Sequence, residues 1–292
     1  MGPVLAVLLP ITCATMLLTP IVRWEQRRKT EKSECRSIPI RDIWEFILIG
    51  IGGQVVGQLF VAWGVRFTLA SNAALLVLAL PISTALMAYL FLGERMSALR
   101  WVSFALAIAG VIVCSGIRWG EVNLTDSKFL LGNVMLFFAV NGSAFYNVYS
   151  KKMLRRYSPL QVLLYSYYVV VAFMLPIVLY TEPQSIRNMV NFRLSVWAGI
   201  FFLAVFQYFL AMVIFLNVLT RMDATQAGLS NYLITLCGVI TAAVVLHERL
   251  TWFMVLGGVL VLASTLLVTV YDKRHDRSAS HLSDARTTRP GQ

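Results

Sequence analysis

The chain has 292 residues, of which 58% are hydrophobic and 13% are charged, and its mean hydropathy is +0.73. Because globular domains carry about 25% charged residues, this composition excludes a soluble globular protein and indicates a membrane protein. We attribute the net charge of +11 to membrane orientation and to attraction by anionic lipid head groups. It does not indicate a nucleic-acid partner.

Nine apolar stretches are long enough to cross the hydrocarbon core of a bilayer as α-helices. The sequence therefore predicts an all-α, polytopic membrane protein. Ser158 precedes a proline, a pair typical of a helix start, and Ser71 and Thr225 are predicted to begin two further helices. The nine predicted spans lie at about residues 3–22, 43–65, 71–92, 99–117, 129–149, 160–180, 197–219, 225–246 and 252–271.

The basic residues predict the orientation of the chain, because Lys and Arg concentrate in cytoplasmic loops. With the N-terminus outside, 19 of the 25 basic residues fall on the cytoplasmic side. The expected location is the cytoplasmic (inner) membrane, with a cytoplasmic C-terminus. Residues 272–292 form a basic tail without apolar periodicity, which we expect to be disordered.

Two long segments of the sequence match each other. Residues 71–110 align with residues 225–264 without a gap, at a shift of 154 positions. A duplicated pair of membrane-length helices is typical of transporters built from two inverted repeats. We therefore predict a first repeat at residues 1–117 and a second repeat at residues 129–271.

The two predicted repeats differ in their number of helices. The shift of 154 matches the sixth to ninth spans to the first to fourth, whereas the fifth span would match positions before Met1. The first repeat therefore has four helices and the second has five, so we expect an opening helix that these residues do not include. Two explanations stay open, a translation start further upstream and a true loss of the helix.

Three stretches of the sequence carry a family resemblance. They are LFLGERMS at 90–97, VLHERLT at 245–251 and YNVYSKKMLRRYSPLQV at 146–162. In these motifs the chain resembles the EamA family of the drug/metabolite transporter superfamily. The resemblance implies a ten-helix fold of two inverted five-helix repeats, a central cavity, and alternating access that moves small metabolites. The chain differs from that pattern in its missing first helix, which would form part of the cavity wall.

Polar side chains at hydrocarbon depth are the candidates for substrate binding, because each needs a partner in the protein, in water or in substrate. Gln54 and Gln58 lie one helical turn apart in the second span, and Gln207 and Tyr208 lie at matching depth in the seventh. We expect the two pairs to face each other. The candidates in the fifth and eighth spans are Asn141, Tyr146, Asn231, Tyr232 and Thr235.

These nine residues have two interpretations. They form either a midplane substrate site of amides and phenols or interhelical hydrogen bonds that only hold the bundle together. The middle third of every predicted span lacks charged residues and histidine. This disfavours coupling through a buried carboxylate and a multiply anionic substrate. A small neutral, zwitterionic or amphipathic metabolite is the favoured substrate.

A Glu-Arg pair ends the third span, and a matching pair ends the eighth. At the shift of 154, Glu94 corresponds to Glu248 and Arg95 to Arg249. The pairs either stop the helices and fix the turns or act as gates that make and break ion pairs on opposite faces.

The fourth and ninth spans each carry a stripe of small residues. Small residues permit close helix approach, either within one chain or in a homodimer. The stripes are Ser103, Ala107 and Gly110 in the fourth span, and Gly257, Val261 and Ser264 in the ninth.

The sequence thus predicts an integral membrane transporter, with export as the favoured direction. Its partners would be a small-molecule substrate and the lipid bilayer. We expect no cofactor, metal site or catalytic residues, because the four cysteines are scattered and the three histidines lie outside the spans. A transport-inactive scaffold or partner subunit of the same fold is the alternative, and a membrane-embedded enzyme is a weaker one.

Overall fold

Helices form the regular structure of this protein. The computed structural model describes residues 1–31, 39–68, 73, 76–77, 79–94, 97–115, 127–228, 231–232, 237, 252, 255–264 and 267. These residues contain no β-strand, and five of their helices are long and apolar enough to cross a membrane. The protein is therefore an all-α, polytopic membrane protein, as the sequence predicts.

The described helices follow the predicted spans within a few residues, apart from the end of α1, and residues 73, 76 and 77 of the third span are also helical. The predicted helix start at Ser71 lies outside the described residues. α1 continues past residue 22 through a polar segment, because nothing in that segment breaks a helix. The helices are α1 Pro3–Glu31, α2 Ile40–Gly64, α3 Ala79–Leu92, α4 Ala98–Ser115, α5 Ser127–Met153, α6 Pro159–Thr181, α7 Leu194–Arg221, α8 with residues 224–228 described at its start, and α9 Val255–Ser264. Short helical turns at Pro183–Arg187 and Asn188–Asn191 join α6 to α7.

The start of α6 is fixed by a capping box. The Ser158 hydroxyl accepts a hydrogen bond from the Gln161 backbone at 3.3 Å, and the Gln161 side chain accepts one from the Ser158 backbone at 3.0 Å. Pro159 occupies the first helical position. Such a cap contributes about 1 kcal/mol, and the predicted helix start is confirmed. α8 begins at Ala224, one residue before the predicted Thr225.

Two antiparallel pairs of helices define the ends of the bundle. α1 begins beside the end of α6, where the backbone N–H groups of Val4 and Leu5 donate to the Glu182 carboxylate at 3.0 and 3.1 Å. α2 begins beside the end of α5, where Arg156 pairs with Asp42 at 3.3 Å. The end of the bundle at which α5 ends is called the basic end below, and the opposite end is called the Glu182 end.

The positions of the loops agree with alternating membrane crossings. α3 and α7 end at the basic end, because Lys151 contacts both Glu94 and the Met222 carbonyl there. Arg187 follows α6 directly, so it lies at the Glu182 end. Lys151 and Arg187 therefore occupy opposite ends of the bundle.

The chain divides into two compact units. The first unit comprises Met1–Glu94 and Gly120–Ala227, and its core lies between α1, α6 and α7. Fully buried side chains of this core include Leu18, Tyr167 and Leu216. Since lipid tails are as apolar as these side chains, close packing rather than removal from water holds the helices together.

The second unit comprises Arg95–Trp119 and Gly228–Gln292 and brings α4 against α9. A Cβ atom built on Gly110 would lie 2.9 Å from the Gly257 carbonyl oxygen and from the Leu260 Cβ. Ser103, Ala107, Val261 and Ser264 are fully buried. The small-residue stripes are thus used for contact inside one chain, while a homodimer stays a prediction.

Candidate functional site

Both α2 and α7 widen into a π-helix in their middle. The π-helical segments are Ile49–Val55 and Leu203–Ala211. Their first residues are 154 positions apart, which is the shift that aligns the two halves of the sequence. A π-helix is rare and frequently marks a functional position. Gln54 lies in the first segment, and Gln207 and Tyr208 lie in the second.

Each π-helical segment packs against a helix from the other half of the chain. α6 packs against the segment of α2, and α1 packs against the segment of α7. Because the shift of 154 also matches α1 to α6, the two contacts are equivalent. This equivalence supports two related halves, and the repeat boundaries themselves stay a prediction.

Tyr208 connects α7 to both α2 and α6. Its hydroxyl donates to Gln58 Oε1 at 3.4 Å, and its backbone carbonyl accepts a hydrogen bond from the Tyr167 hydroxyl at 2.7 Å. Tyr167 is fully buried in α6. The contact expected between the candidates of the second and seventh spans is therefore present, and Gln58 and Tyr208 make it.

A second polar cluster lies where α2, α5 and α6 meet. The Tyr146 hydroxyl is buried close to Gln54, Ser150 and Ser166. Within the described part of the chain, the hydroxyls of Tyr146 and Ser150 make no hydrogen bond of acceptable geometry. Buried hydroxyls whose hydrogen bonds are poorly aligned are costly, so such groups suit a site that an additional polar molecule completes. The sequence analysis identified Gln54 and Tyr146, but missed both serines.

Glycines bring α2 close enough to α5 to form this cluster. A Cβ atom on Gly53 would lie 2.8 Å from the Tyr146 Cβ, and one on Gly57 would lie 2.8 Å from the Ser143 hydroxyl. In return, a Cβ on Gly142 would lie 2.9 Å from the Gly57 nitrogen. Small residues in contact allow two helix backbones to approach in this way.

Two other candidates lie outside these polar contacts. The Asn141 amide donates to the Phe137 carbonyl of its own helix at 2.8 Å, so this bond does not join two helices. Gln207 lies on an exposed face of α7, although its neighbour Tyr208 points toward α2.

The remaining candidates belong to the eighth span or to the Glu-Arg pairs. Tyr232 is buried and Asn231 is partly buried, and both are helical residues of the second compact unit. The candidates Thr235, Arg95, Glu248 and Arg249 lie outside the described residues.

Glu94 connects three parts of the first unit at the basic end. Gly93, with a φ of 69°, ends α3, since this left-handed conformation suits glycine. The Glu94 carboxylate accepts hydrogen bonds from the Ala224 and Thr225 backbones at 2.9 and 3.1 Å, and so caps α8. It also pairs with Lys151 at 3.4 Å. Gly93 therefore makes the turn, while the Glu94 side chain joins the two halves of the chain.

A network of ion pairs joins the start of α2 to the end of α5. Glu45 pairs with Lys152 at 3.3 Å and with Arg156 at 3.8 Å, and Arg156 also pairs with Asp42. Tyr157 donates a hydrogen bond to the Asp42 carboxylate. Sequence reasoning missed this network, although acidic and basic residues on one predicted face were the available signal.

The π-helical segments and the buried polar cluster contain no charged side chain. Amides and phenols can donate and accept hydrogen bonds, and they therefore recognise polar groups without supplying a nucleophile. No group of three or more metal-ligating side chains occurs within the residues that the structure describes.

Comparison with known proteins identifies the family of this chain. A model of the EamA-like transporter family matches residues 1–116 and 130–270. The chain belongs to the EamA-like transporter family. This membership confirms the resemblance in the sequence motifs and establishes a membrane transporter of the EamA type.

Individual EamA relatives are distant but cover most of the chain. The chain is 26% identical over 240 residues to a probable terminal-alkyne amino-acid exporter of Streptantibioticus cattleyicolor, with 82% of this chain and 77% of the relative covered. It is 26% identical over 230 residues to an uncharacterized transporter of Archaeoglobus fulgidus, with 78% and 76% covered. A solved crystal structure with 17% identity superposes with a TM-score of 0.75 over 94% of this chain and 89% of that chain, which supports the fold alone.

Proposed function

We propose that this EamA-like transporter carries a small neutral, zwitterionic or amphipathic metabolite by alternating access. The observation that carries the proposal is the pair of π-helical segments at matching positions, joined by the Tyr208–Gln58 hydrogen bond. Discontinuities in matched helices near the bilayer midplane are where transporters with internal repeats bind their substrates. The substrate would contact Gln54, Gln58, Tyr146 and Tyr208.

The chemistry of these side chains supports the substrate class. A multiply anionic substrate would place unpaired charges beside uncharged amides and phenols, which is unfavourable away from water. A zwitterion has compensating charges and suits such a surface better. The Streptantibioticus relative is named for an amino acid, which is a zwitterion, and for export. We infer the same direction for this chain.

The ion pairs at the basic end supply a gate for alternating access. Lys151 Nζ contacts Glu94 at 3.4 Å, Asp223 at 3.3 Å and the Met222 carbonyl at 2.7 Å, and so links α5 to the ends of α3 and α7. Opening this end requires at least one of these contacts to break. The basic end would face the cytoplasm of the inner membrane, because most Lys and Arg residues lie on that side.

The solute is identified first by comparing the metabolites of cells that produce the protein with those of cells that lack it. An exporter lowers the intracellular amount of its solute and raises the amount in the medium. Efflux of that solute is then measured for the wild type, for Gln54→Ala and for Gln184→Ala. Gln184 lies exposed in the turn after α6, so its variant controls for the loss of an amide outside the site.

We expect Gln54→Ala to slow efflux while Gln184→Ala leaves it unchanged. Equal effects of the two variants would place the substrate elsewhere. If the wild type shifts no solute in either direction, the carrier proposal is wrong, and a transport-inactive scaffold of the same fold becomes the better account.

A further inference from the structure

A cavity of about 470 Å³ opens on α1 near the basic end of the bundle. α1 begins at the Glu182 end and ends at the basic end, where the Ser158 hydroxyl at the start of α6 donates to Glu25 at 3.4 Å. None of the proposed substrate contacts lines this cavity. Its described lining residues are Met16, Thr19, Pro20, Arg23, Trp24 and Arg27.

Two arginines of this cavity lie one helical turn apart. Arg23 and Arg27 are four positions apart on α1, so their side chains project from the same face of the helix. Both are exposed, and among the described residues neither forms an ion pair with a carboxylate. Guanidinium groups bind phosphate oxygens through strong, charge-assisted hydrogen bonds. The spacing of the two arginines therefore suits a single phosphate group between them.

Trp24 and Arg28 extend the charged side of the cavity. The Arg28 guanidinium carbon lies 3.6 Å from the centroid of the Trp24 ring, which is a cation–π contact. This contact holds a third positive charge against a lining residue. Tryptophan is enriched at the level of the lipid head groups in membrane proteins. The charge and the tryptophan together indicate that this part of the cavity lies at head-group depth.

The opposite side of the cavity is apolar. Met16 is 69% exposed, and Pro20 is exposed one turn further along α1. The Thr19 hydroxyl already shares a hydrogen bond of 2.8 Å with the Tyr168 hydroxyl of α6. Arg27 follows Met16 by 11 residues, which is about 16 Å along the helix axis. The cavity thus changes from charged to apolar over the length of a lipid head group and the first carbons of its acyl chains.

We propose that this cavity binds one anionic phospholipid, with its phosphate between Arg23 and Arg27 and an acyl chain against Met16. Basic pockets on the cytoplasmic side of membrane helices bind anionic head groups. A soluble anion would pair with the arginines but would leave the apolar side uncovered. A lipid without net charge would leave the arginines uncompensated. The transported metabolite is a poorer match, because its proposed contacts contain no charged side chain.

Native mass spectrometry of the protein tests this assignment. The protein is purified in a non-ionic detergent and titrated with phosphatidylglycerol, or with phosphatidylcholine that carries the same acyl chains. The measured quantity is the dissociation constant of the first bound lipid. One double variant carries Arg23→Ala and Arg27→Ala. The matched control carries Arg155→Ala and Arg221→Ala, which removes two exposed arginines from the same end of the bundle.

We expect the wild type to bind phosphatidylglycerol about tenfold more tightly than phosphatidylcholine, because only the former has a net negative charge. Loss of the two cavity arginines should weaken the binding of phosphatidylglycerol about 30-fold. The control variant should change it less than about threefold, because exposed charges at a distance are screened by salt. Thermal unfolding of both variants checks that they are folded.

Three results would overturn the proposal. Equal affinity of the wild type for the two lipids would exclude an anionic head-group site, and this result needs no variant. An equal loss in the two double variants would mean that the general charge of the basic end attracts the lipid. Displacement of phosphatidylglycerol by an equal concentration of glycerol phosphate would show that the cavity takes a soluble anion. The measurement detects bound lipid rather than transport, so its outcome is independent of the carrier proposal.

Discussion

α2 and α7 have the same backbone feature in different surroundings. Both contain a π-helical segment at the matching position, yet α2 is covered by α5 and α7 is exposed on the corresponding face. The segment of α2, IGIGGQV, has three glycines, whereas that of α7, LAVFQYFLA, has none. Tight packing and glycine content therefore do not explain the π-helix. What the two segments share is their position beside the polar residues, which favours a functional cause.

The strongest test of this comparison places the same side chain on both helices. Gly53→Leu should destabilise the protein by about 3 kcal/mol, because the new side chain meets the Tyr146 Cβ and backbone. Gln207→Leu at the matching position should change stability by no more than about 0.5 kcal/mol, because that position is exposed. Thermal unfolding in detergent measures both variants. Equal destabilisation would mean that the α7 face is packed as tightly as the α2 face, which would contradict the comparison.

A smaller effect, on the rate of transport, is expected from a substitution at the contact between α2 and α7. Tyr208→Phe removes a hydroxyl that bonds to Gln58 and that the proposed substrate would contact during transport. Loss of one such contact, worth about 1 kcal/mol, should lower the transport rate about fivefold. Tyr168→Phe is the matched control, since its hydroxyl pairs with Thr19 on α1 instead. The rates are compared at equal amounts of protein in the membrane. A loss in Tyr168→Phe as large as that in Tyr208→Phe would contradict a specific role for the contact between α2 and α7.

The smallest effect is expected at the ion pairs between α5 and α2. Glu45→Gln should lower stability by about 0.5 kcal/mol, because its partners Lys152 and Arg156 are partly exposed. High salt should reduce the difference from wild type. The matching position on α7 is Gly199, where an added Cβ meets nothing within 4 Å, so Gly199→Ala should not destabilise the protein. A salt-independent loss in Glu45→Gln would mean that packing rather than charge holds α5 here.

The sequence predicted the features that depend on neighbouring residues or on composition. The apolar stretches located the helices, and Ser158 marked the start of α6. The small-residue stripes predicted close helix approach, within one chain or in a dimer, and the structure shows such an approach between α4 and α9. Polar residues at hydrocarbon depth identified Gln58 and Tyr208, which contact each other.

Other features depend on contacts between distant residues. Glu94 caps a helix that begins about 130 positions later in the chain, and Glu45 pairs with Lys152 across 107 positions. No local pattern specifies such partners. The π-helical segments were missed because seven to nine residues are too few to show a change in helical period.

The most direct test of the account is transport by purified protein in proteoliposomes. The vesicles contain a mixture of amino acids and their phosphorylated analogues at equal concentration, and efflux of each is measured with and without the protein. An uncharged site between α2 and α7 predicts faster efflux of at least one zwitterion, slowed by Tyr208→Phe, and no efflux of the phosphorylated compounds. Selective efflux of the phosphorylated compounds would contradict the account.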